Sequence, residues 1–553
     1  KKRRSEDYYS PEKKAGLRPD RAVIVYCNRI REAYGDIPII IGGVEASLRR
    51  FAHYDYWDDK VRRSILIDSG ADILSYGMGE KSIPEIAKLL DKGVPVKKIR
   101  DVRGTVVCTE REYQPKFPYI DTYSYDELKT DKEKYAKSFA IQYKNTDPTD
   151  GKAVTEFYDG KKIVQNPPQP LLTRQEMDEV YALEFTRTWH PMYDKCGGIS
   201  AIDEVEFSIT HNRGCFGGCA FCAIAFHQGR NVVSRSKESV LAEARLLTTL
   251  KGFKGYIHDV GGPTANFRYG PCKAVRDGKK GVCKNRRCLA PEPCKNLLVD
   301  HSEYVEILEE MSKIPKIKKV FVRSGVRFDY AIYDKSDAFI KRLVKYHVSG
   351  QLKVAPEHIS DKVLSYMGKP SVKVYERFCD KYFSECKKAS LEQYLVPYLM
   401  SSHPGSTINE AIDLALYLKK KNIRPEQVQD FYPTPGTAAT TMYYTGIDPF
   451  TLKQVYVPKT YEEKKLQRAL LQSSRAENRP LVEKAIRISD RRDAQCLLGH
   501  FPVSDNAHKV RKTGMKTASN QKPKKKGGVK KGKGSDIAKL RKALKEKSKI
   551  KSK

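Results

Sequence analysis

Short apolar runs alternate with amphipathic stretches in the first hundred residues. Apolar and basic residues recur at helical spacing over residues 22–34, and the apolar run Ile37–Ile41 then ends in two glycines. A second apolar run, over residues 71–76, ends in another glycine turn and leads into the amphipathic stretch 83–90. A buried strand followed by a glycine turn and a helix is typical of α/β domains. We therefore predict a Rossmann-like domain over residues 1–104, built on part of a doubly wound parallel sheet.

The next hundred residues lack a regular period. Residues 105–200 are rich in Tyr, Lys, Asp and Pro, and the segment 166–170 reads Asn-Pro-Pro-Gln-Pro. Such a proline-rich segment favours extended backbone. We assign residues 105–200 to a connector or insertion between two domains.

Alternation of strands and helices resumes near residue 201. Helical stretches over residues 237–250, 304–311 and 408–420 separate short apolar runs. The strand candidates are residues 204–209, 255–260, 319–323, 352–355, 393–399 and 427–431. This pattern predicts a partial or complete TIM-type βα barrel over residues 201–480, with chemistry at the C-terminal ends of its strands. We place a Cys-rich insertion at residues 264–298 and a C-terminal extension at 481–502.

The positive charge is concentrated at the end of the chain. The formal net charge is +35, and residues 501–553 hold 19 Lys and Arg against three Asp and Glu. The Lys- and Gly-rich composition of residues 503–553 predicts a disordered tail, with a short helix over 537–547. A flexible polycation binds polyanions by releasing counterions. RNA or ribosome association is therefore one hypothesis for the tail, and a solvated segment that aids solubility is the other.

The start of the chain has neither an initiator Met nor an apolar stretch. We expect the natural protein to begin upstream of residue 1, and to lack a secretion signal. No apolar run approaches the roughly 18 residues of a membrane span, so we expect a cytoplasmic protein with no membrane partner. Thirteen cysteines in such a chain do not indicate a disulfide framework. Seven of them fall into two tight groups.

The first group follows the first strand of the predicted barrel. Cys215, Cys219 and Cys222 are spaced C-x3-C-x2-C among glycines and alanine. Thiolates hold iron–sulfur clusters, which usually take four of them. Three local thiolates would leave one iron open, as catalytic metal sites keep one open position. The other interpretations are a zinc knuckle, for which the paired C-x2-C spacing is missing, and an electron-transfer cluster.

This spacing, with Phe221 just before the last cysteine, resembles the radical S-adenosylmethionine (SAM) superfamily. The resemblance implies a 4Fe-4S cluster on the three cysteines, whose open iron binds the amino and carboxylate groups of SAM. It further implies that one electron from a flavodoxin- or ferredoxin-type donor cleaves SAM to a 5′-deoxyadenosyl radical.

The same resemblance suggests where SAM binds. Gly261, Gly262 and Pro263 follow the second predicted strand, where radical SAM proteins place a Gly-Gly turn whose backbone receives the SAM amino group. Arg323 stands at a later strand end and could pair with a carboxylate in a bidentate manner. Glu357 could accept hydrogen bonds from ribose hydroxyls. A structural ion pair is the alternative for both side chains.

Several motifs together narrow the resemblance to the YgiQ-type radical SAM proteins. They are the cysteine loop and the segments 38–50, 52–57, 261–266 and 355–358, and the likeness extends to about residue 500. It implies a class of chemistry and not a substrate.

The N-terminal part is similar to the cobalamin-binding-type Rossmann domains that precede many radical SAM cores. Its matching features are the turn Gly42-Gly43 and the motif Gly77-Met-Gly-Glu80. The chain has no Asp-x-His-x-x-Gly motif, which supplies the histidine ligand to cobalt. We therefore expect that the domain does not bind cobalamin and that it shapes the substrate cleft.

The second cysteine group follows the Gly-Gly turn. Cys272, Cys283, Cys288 and Cys294 lie in a segment rich in Lys, Arg, Gly and Pro, with few apolar residues to form a core. Metal ligation can order a loop that burial cannot. Zinc, an auxiliary iron–sulfur cluster and unligated thiols all remain open for this second metal site.

Two classes of function follow from these features. The first is a radical SAM enzyme that modifies an unknown substrate, with RNA or a ribosome-associated target favoured by charge alone. The second is an iron–sulfur or zinc module that binds nucleic acid without turnover. An open cluster site beside a Gly-Gly turn favours the enzyme.

Overall fold

A computed structural model describes residues 5–499 of the chain. The predicted disordered tail and its short helix at 537–547 lie outside these residues. In the first part of the chain the strands are β1 (Ile40–Ile41), β2 (His53–Asp55), β3 (Lys60–Arg62), β4 (Ile73–Ser75), β5 (Thr105–Glu110), β6 (Tyr119–Ser124), β7 (Ala153–Tyr158) and β8 (Lys161–Gln165). The helices are α1 (Ala22–Tyr34), α2 (Gly43–Leu48), α3 (Ile65–Ser69), α4 (Ser82–Asp91), α5 (Tyr125–Thr130), α6 (Lys132–Lys144) and α7 (Arg174–Tyr181).

Six of these strands form one mixed sheet in the order β1-β4-β5-β8-β7-β6. Only the outer pairs, β1 with β4 and β6 with β7, are parallel, and the three inner pairings are antiparallel. The sheet is therefore not the doubly wound parallel sheet that the glycine turns suggested. Four of its strands come from residues 105–165, the stretch that the sequence assigned to a connector or insertion. Those strands bury apolar side chains such as Val106, Val154 and Ile163.

The second part of the chain contains the remaining strands and helices. The strands are β9 (Ser208–Thr210), β10 (Asn212–Arg213), β11 (Val233–Ser234), β12 (Tyr256–Ile257), β13 (Asp259–Gly261), β14 (Lys319–Val320), β15 (Gln351–Glu357), β16 (Tyr394–Ser401) and β17 (Gln429–Asp430). The helices are α8 (Ile224–His227), α9 (Lys237–Leu247), α10 (Lys273–Arg276), α11 (Ser302–Met311), α12 (Phe328–Ala331), α13 (Ala338–Arg342), α14 (Asp361–Met367), α15 (Val372–Lys388), α16 (Ile408–Lys420), α17 (Ala438–Thr445), α18 (Tyr461–Leu471) and α19 (Arg479–Ser489). A π-helical turn covers Leu343–His347, and short 3₁₀ helices occur at Pro11–Lys13, Val96–Lys98, Pro191–Cys196, Ser200–Glu204, Ala476–Asn478 and Arg492–Leu498.

The barrel-like region pairs its strands in parallel. β13 lies beside β9, β12 beside β14, and β16 between β15 and β17. Each of the six predicted strands overlaps an observed one, and helices α9, α11 and α16 fall within or around the predicted stretches. The α/β fold with an N-terminal domain before a barrel-like core is thus confirmed. The structure places strand ends, rather than strand middles, around the cysteine loop.

Helices cover this region with apolar faces. One continuous core joins side chains from α9, α11, α13 and α15 to those of β9, β12 and β15, including Leu241, Ile307, Phe339 and Phe378. Side-chain caps fix the helix starts: Ser236 accepts from the Ser239 backbone N–H before α9. Within the described residues, no helix is long and apolar enough to cross a membrane.

Candidate active site

The first cysteine group lies on a tight loop between β10 and α8. Gly214 begins the loop at φ +78°, and a β-carbon there would lie 1.8 Å from the Asn231 carbonyl oxygen. Only glycine fits at that point, because both the backbone angle and the space exclude a side chain. The Cys215 N–H donates to the Gly229 carbonyl at 3.2 Å, and the Cys222 N–H donates to the Cys219 carbonyl at 3.2 Å. These bonds curl the loop so that its three thiols face one side.

The three thiols share one cavity of about 180 Å³. Its wall combines the cysteine loop with the ends of β13 and β15 and the segments that follow β14 and α14. The residues that contribute are Cys215, Gly218, Cys219, Phe221, Cys222, Ile224, Ala225, Pro263, Thr264, Gly325, Val326, Arg327, Phe328, Ala355, Glu357 and Lys369. The cavity is thus at the C-terminal ends of the parallel strands, where a barrel fold carries its chemistry.

Polar contacts to the sulfurs come from two neighbours. The Arg327 guanidinium donates from Nη1 to Cys219 Sγ at 3.2 Å and from Nε to Asp329 Oδ1 at 2.8 Å. The Thr264 hydroxyl lies 3.5 Å from Cys215 Sγ. Arg327 and Thr264 thus hold two of the three sulfurs in position, and cysteine binds metal through its sulfur.

Burial and neighbouring charges shift two groups in this cavity. Burial raises the pKa of the Cys222 thiol to about 12, and the adjacent Cys219 adds to the rise. Burial also raises the pKa of the Glu357 carboxyl, whereas the positive charges of Lys369 and Arg327 lower it. Burial thus opposes ionisation of Cys222, and iron ligation would supply a positive charge that favours its thiolate.

These residues fit a cluster better than a single ion. Within residues 5–499, no three His, Cys, Asp or Glu side chains converge on a point that one metal ion could occupy. A cluster needs no such point, because each thiolate binds a different iron. Three thiols around a shared cavity, with an arginine on one sulfur, are therefore compatible with a three-cysteine cluster site.

The Gly-Gly turn stands at the edge of this cavity. Gly261 ends β13, and β-carbons at Gly261 and Gly262 would lie 2.2 Å from Ser324 Oγ and 1.9 Å from Asn212 Oδ1. Both positions need glycine because neighbouring elements approach too closely for a side chain. Pro263, the next residue, lines the cavity.

The two polar residues predicted for SAM are placed differently. Glu357 ends β15 at φ +68° and lines the cavity. Arg323 is exposed and is not among the cavity residues, because the Asp259 carboxylate accepts from the Arg323 and Ser324 backbone N–H groups and fixes the turn there. Its role in binding a carboxylate stays a prediction that this geometry does not favour.

Arg327 and Lys369 are the cavity cations that sequence reasoning missed. Arg327 belongs to the same strand-end segment as Arg323, and its position four residues later was the available signal. Lys369 follows α14, donates from Nζ to the Ala355 carbonyl at 2.7 Å, and has no motif around it that marks it in the sequence.

The N-terminal glycine turns contact the core beside a second cavity. Gly77 lies so close to α8 that a β-carbon there would be 3.0 Å from the His227 carbonyl oxygen. Glu80 forms an ion pair with Arg213 of β10. Tyr76 and Arg213 both line a cavity of about 80 Å³. The N-terminal domain therefore reaches the region next to the cysteine loop.

Three family models match successive parts of the chain. "Radical SAM N-terminal" matches residues 1–208, "Radical SAM superfamily" matches residues 209–418, and "Domain of unknown function (DUF3362)" matches residues 426–553. The second match contains the cysteine loop, the Gly-Gly turn and Glu357.

Similar proteins occur in clostridia. A UPF0313 protein of Clostridium botulinum (strain 657 / Type Ba4) is 57% identical over 502 residues, which cover 91% of this chain and 78% of that protein. A UPF0313 protein of Clostridium perfringens (strain ATCC 13124) is 52% identical over 531 residues, which cover 94% of this chain and 80% of that protein.

Solved structures give a weaker likeness. The radical SAM methyltransferase TsrM from Kitasatospora setae, with tryptophan and a SAM analogue bound, is 14% identical, with a TM-score of 0.42 over 78% of this chain and 62% of its own. The cobalamin-dependent radical SAM enzyme OxsB is 12% identical, with a TM-score of 0.41 over 76% of this chain and 43% of its own.

The expectation that cobalamin does not bind is contradicted by these neighbours. TsrM was also solved with cobalamin and a [4Fe-4S] cluster, and OxsB with aqua-cobalamin. The expectation relied on a missing Asp-x-His-x-x-Gly motif. That motif supplies one histidine ligand to cobalt, so its absence says nothing about the rest of a corrin site.

Proposed function

Because the chain belongs to the UPF0313 family of radical SAM proteins, we propose that its cavity binds a 4Fe-4S cluster and SAM and produces a 5′-deoxyadenosyl radical. The family membership confirms the YgiQ-type resemblance, and the radical SAM domain makes the chain an enzyme. The observation that carries the proposal is the shared cavity of about 180 Å³, where Cys215, Cys219 and Cys222 face Pro263 and Glu357.

When bound, the cluster would supply the electron that cleaves the sulfonium of SAM. The protein's own residues prepare the site for that chemistry. Arg327 donates to Cys219 Sγ at 3.2 Å and so would hold that ligand in position. Phe221 and Val326 line the cavity with apolar surface, which keeps water away from a reactive radical.

The charges in the cavity match the charges of SAM. Lys369 supplies a cation for the SAM carboxylate, and Glu357 supplies an acceptor for ribose hydroxyls or the amino group. Gly262 and Pro263 bring backbone to the same edge. The site therefore has a complement for the carboxylate of SAM and for its ribose or amino group, with Lys369 in the role that the sequence analysis gave to Arg323.

The alternative of a nucleic-acid-binding module without turnover finds less support. A binding module needs no cavity beside its cluster, whereas this protein has a cavity of about 180 Å³ next to its three thiols. For the substrate, RNA or a ribosome-associated target remains supported only by the charge of residues 501–553. All thirteen cysteines are free thiols. Free thiols and the need for a flavodoxin- or ferredoxin-type electron donor both favour a cytoplasmic location.

The test is SAM cleavage by anaerobically reconstituted protein. The full chain, reduced with dithionite, is expected to convert SAM to 5′-deoxyadenosine, and Cys219→Ala is expected to abolish both that product and the cluster absorption of the first loop. Cys196→Ala removes an exposed thiol outside both groups and serves as the matched control. Undiminished 5′-deoxyadenosine from Cys219→Ala would contradict the proposal.

A further inference from the structure

The fold brings the second cysteine group together. The Leu298 N–H donates to the Pro271 carbonyl at 2.8 Å and closes residues 271–298 into one loop. Inside it, the Cys294 N–H donates to the Cys288 carbonyl at 2.9 Å. Cys288 is 8% exposed and packs in an apolar cluster that also includes Val282. A segment with few apolar residues of its own thus folds around its thiols.

Two side chains from outside the loop hold it in place. Asp147, from the N-terminal domain, accepts from the Val282 N–H through Oδ2 at 2.8 Å. Arg230 donates from Nη1 to the Cys283 carbonyl at 2.9 Å and from Nη2 to the Arg286 carbonyl at 3.3 Å. The positions of the thiols are therefore fixed by the rest of the protein.

Backbone contacts bring members of the group together. The Leu298–Pro271 bond places Cys272 beside the chain that follows Cys294, where the Leu297 N–H donates to the Cys294 carbonyl at 2.9 Å. The Cys294–Cys288 bond adds a third member, and Arg230 holds the Cys283 carbonyl of the same loop.

The surroundings are positively charged. Residues 271–298 contain eight Lys and Arg against two Asp and Glu. Lys280 Nζ lies 3.9 Å from Cys283 Sγ. Four thiolates around a metal centre leave a net negative charge, and nearby cations offset it.

The second group also contacts the first cysteine loop. Arg287, the neighbour of Cys288, donates from Nε to the Gly218 carbonyl at 3.0 Å. Phe216, from the first loop, belongs to the same apolar cluster as Cys288, and its ring stacks on Phe267 with centroids 3.8 Å apart. Cys215 of the first group and Cys288 of the second thus pack in one apolar cluster.

We propose that Cys272, Cys283, Cys288 and Cys294 hold a second iron–sulfur cluster. Among residues 5–499, neither cysteine group converges on a point for a single ion, and the second group resembles the first in this respect. A tetrahedral zinc site needs four sulfurs at about 2.3 Å from one point, whereas a cluster spreads them over several irons. Ligation by four thiolates leaves no open iron, so this cluster does not bind SAM.

Iron content separates the two sites. The full chain, reconstituted anaerobically with ferrous iron and sulfide, is expected to hold about eight irons. A triple variant, Cys215→Ala/Cys219→Ala/Cys222→Ala, is expected to keep about four irons and four sulfides and to lose all SAM cleavage. Exposed Cys108→Ala and Cys196→Ala are the controls and are expected to hold about as much iron as the full chain.

A triple variant with no iron, or with one zinc instead, would overturn the second cluster. A second variant, Cys288→Ser/Cys294→Ser, tests the site from the other side and is expected to keep about four irons; if it kept about eight, the proposal would also fail. A full chain that holds about eight irons but produces no 5′-deoxyadenosine would refute the proposed function alone and leave the second cluster standing.

Discussion

Arg327 is the buried cation on which the cysteine loop should depend most. Its side chain is 10% exposed, and that of its ion-pair partner Asp329 is 1% exposed. Replacing Arg327 with Met keeps most of the volume but leaves the Asp329 carboxylate buried without its cation. Removing one partner of a buried ion pair costs about 3–5 kcal/mol. We expect the free energy of unfolding to fall by about that amount.

The assay is urea unfolding of the cluster-free chain under anaerobic conditions, followed by far-UV circular dichroism. Arg323→Met is the matched control, because Arg323 is exposed and lies in the same segment. Surface substitutions away from special features change stability by about 0.5 kcal/mol or less. The double variant Arg327→Met/Asp329→Leu should recover most of the loss, since apolar replacement of a whole buried pair is often neutral.

The double variant also separates stability from the contact to sulfur. It lacks the N–H that donates to Cys219, so we expect it to fold but to retain less iron than the full chain. Equal losses of stability in Arg323→Met and Arg327→Met, or a loss below about 1 kcal/mol in the latter, would refute the reasoning.

Helices and core strands could be predicted because their patterns are strong and local. α1 covers residues 22–34 and α16 covers residues 408–420, as the apolar spacing indicated. The parallel strand β16 (Tyr394–Ser401) is a mostly apolar run between helices α15 and α16, which is the usual sequence form of a parallel strand covered by helices. Such an apolar run can be recognised from the sequence alone.

The sequence predicted only part of the N-terminal sheet, because the later strands of that sheet carry polar residues. β7 and β8 are joined at Asp159-Gly160, and Asp-Gly between alternating residues is a strong hairpin signal. The abundance of Tyr, Lys and Asp in residues 105–200 hid that signal. β7 and β8 also bury polar side chains such as Thr155, Glu156 and Gln165, so their composition resembles that of a loop although the strands are buried.

The cysteines of the site were predictable and its cations were not. Close thiol spacing is a local feature, whereas Arg327 and Lys369 reach the cavity only through the fold. Which of the two arginines, Arg323 or Arg327, lines the cavity depends on where β14 ends and on the Asp259 carboxylate, which accepts from the turn that follows. No local sequence pattern predicts that long-range contact.

Two further predictions concern the tail and the N-terminal domain. Deleting residues 503–553 should weaken RNA binding and flatten its salt dependence in filter-binding titrations, while SAM cleavage persists, because a polycation binds nucleic acid by counterion release. An unchanged affinity would contradict RNA binding by the tail. Glu156 is buried in the N-terminal sheet, and desolvation raises its pKa from 4.5 to about 7. The native state then binds a proton that the unfolded state releases, so stability should fall as pH rises from about 4.5 to about 7 and level off above that. Glu156→Gln is uncharged at every pH and should keep the acceptor for the Ala52 N–H. It should therefore remove that dependence and stabilise the protein at pH 8 by up to about 3 kcal/mol. Urea unfolding of both proteins at pH 5 and pH 8 measures the difference. If the free energy of unfolding changed equally with pH in the two proteins, Glu156 would be ionised in the native state and the prediction would be wrong.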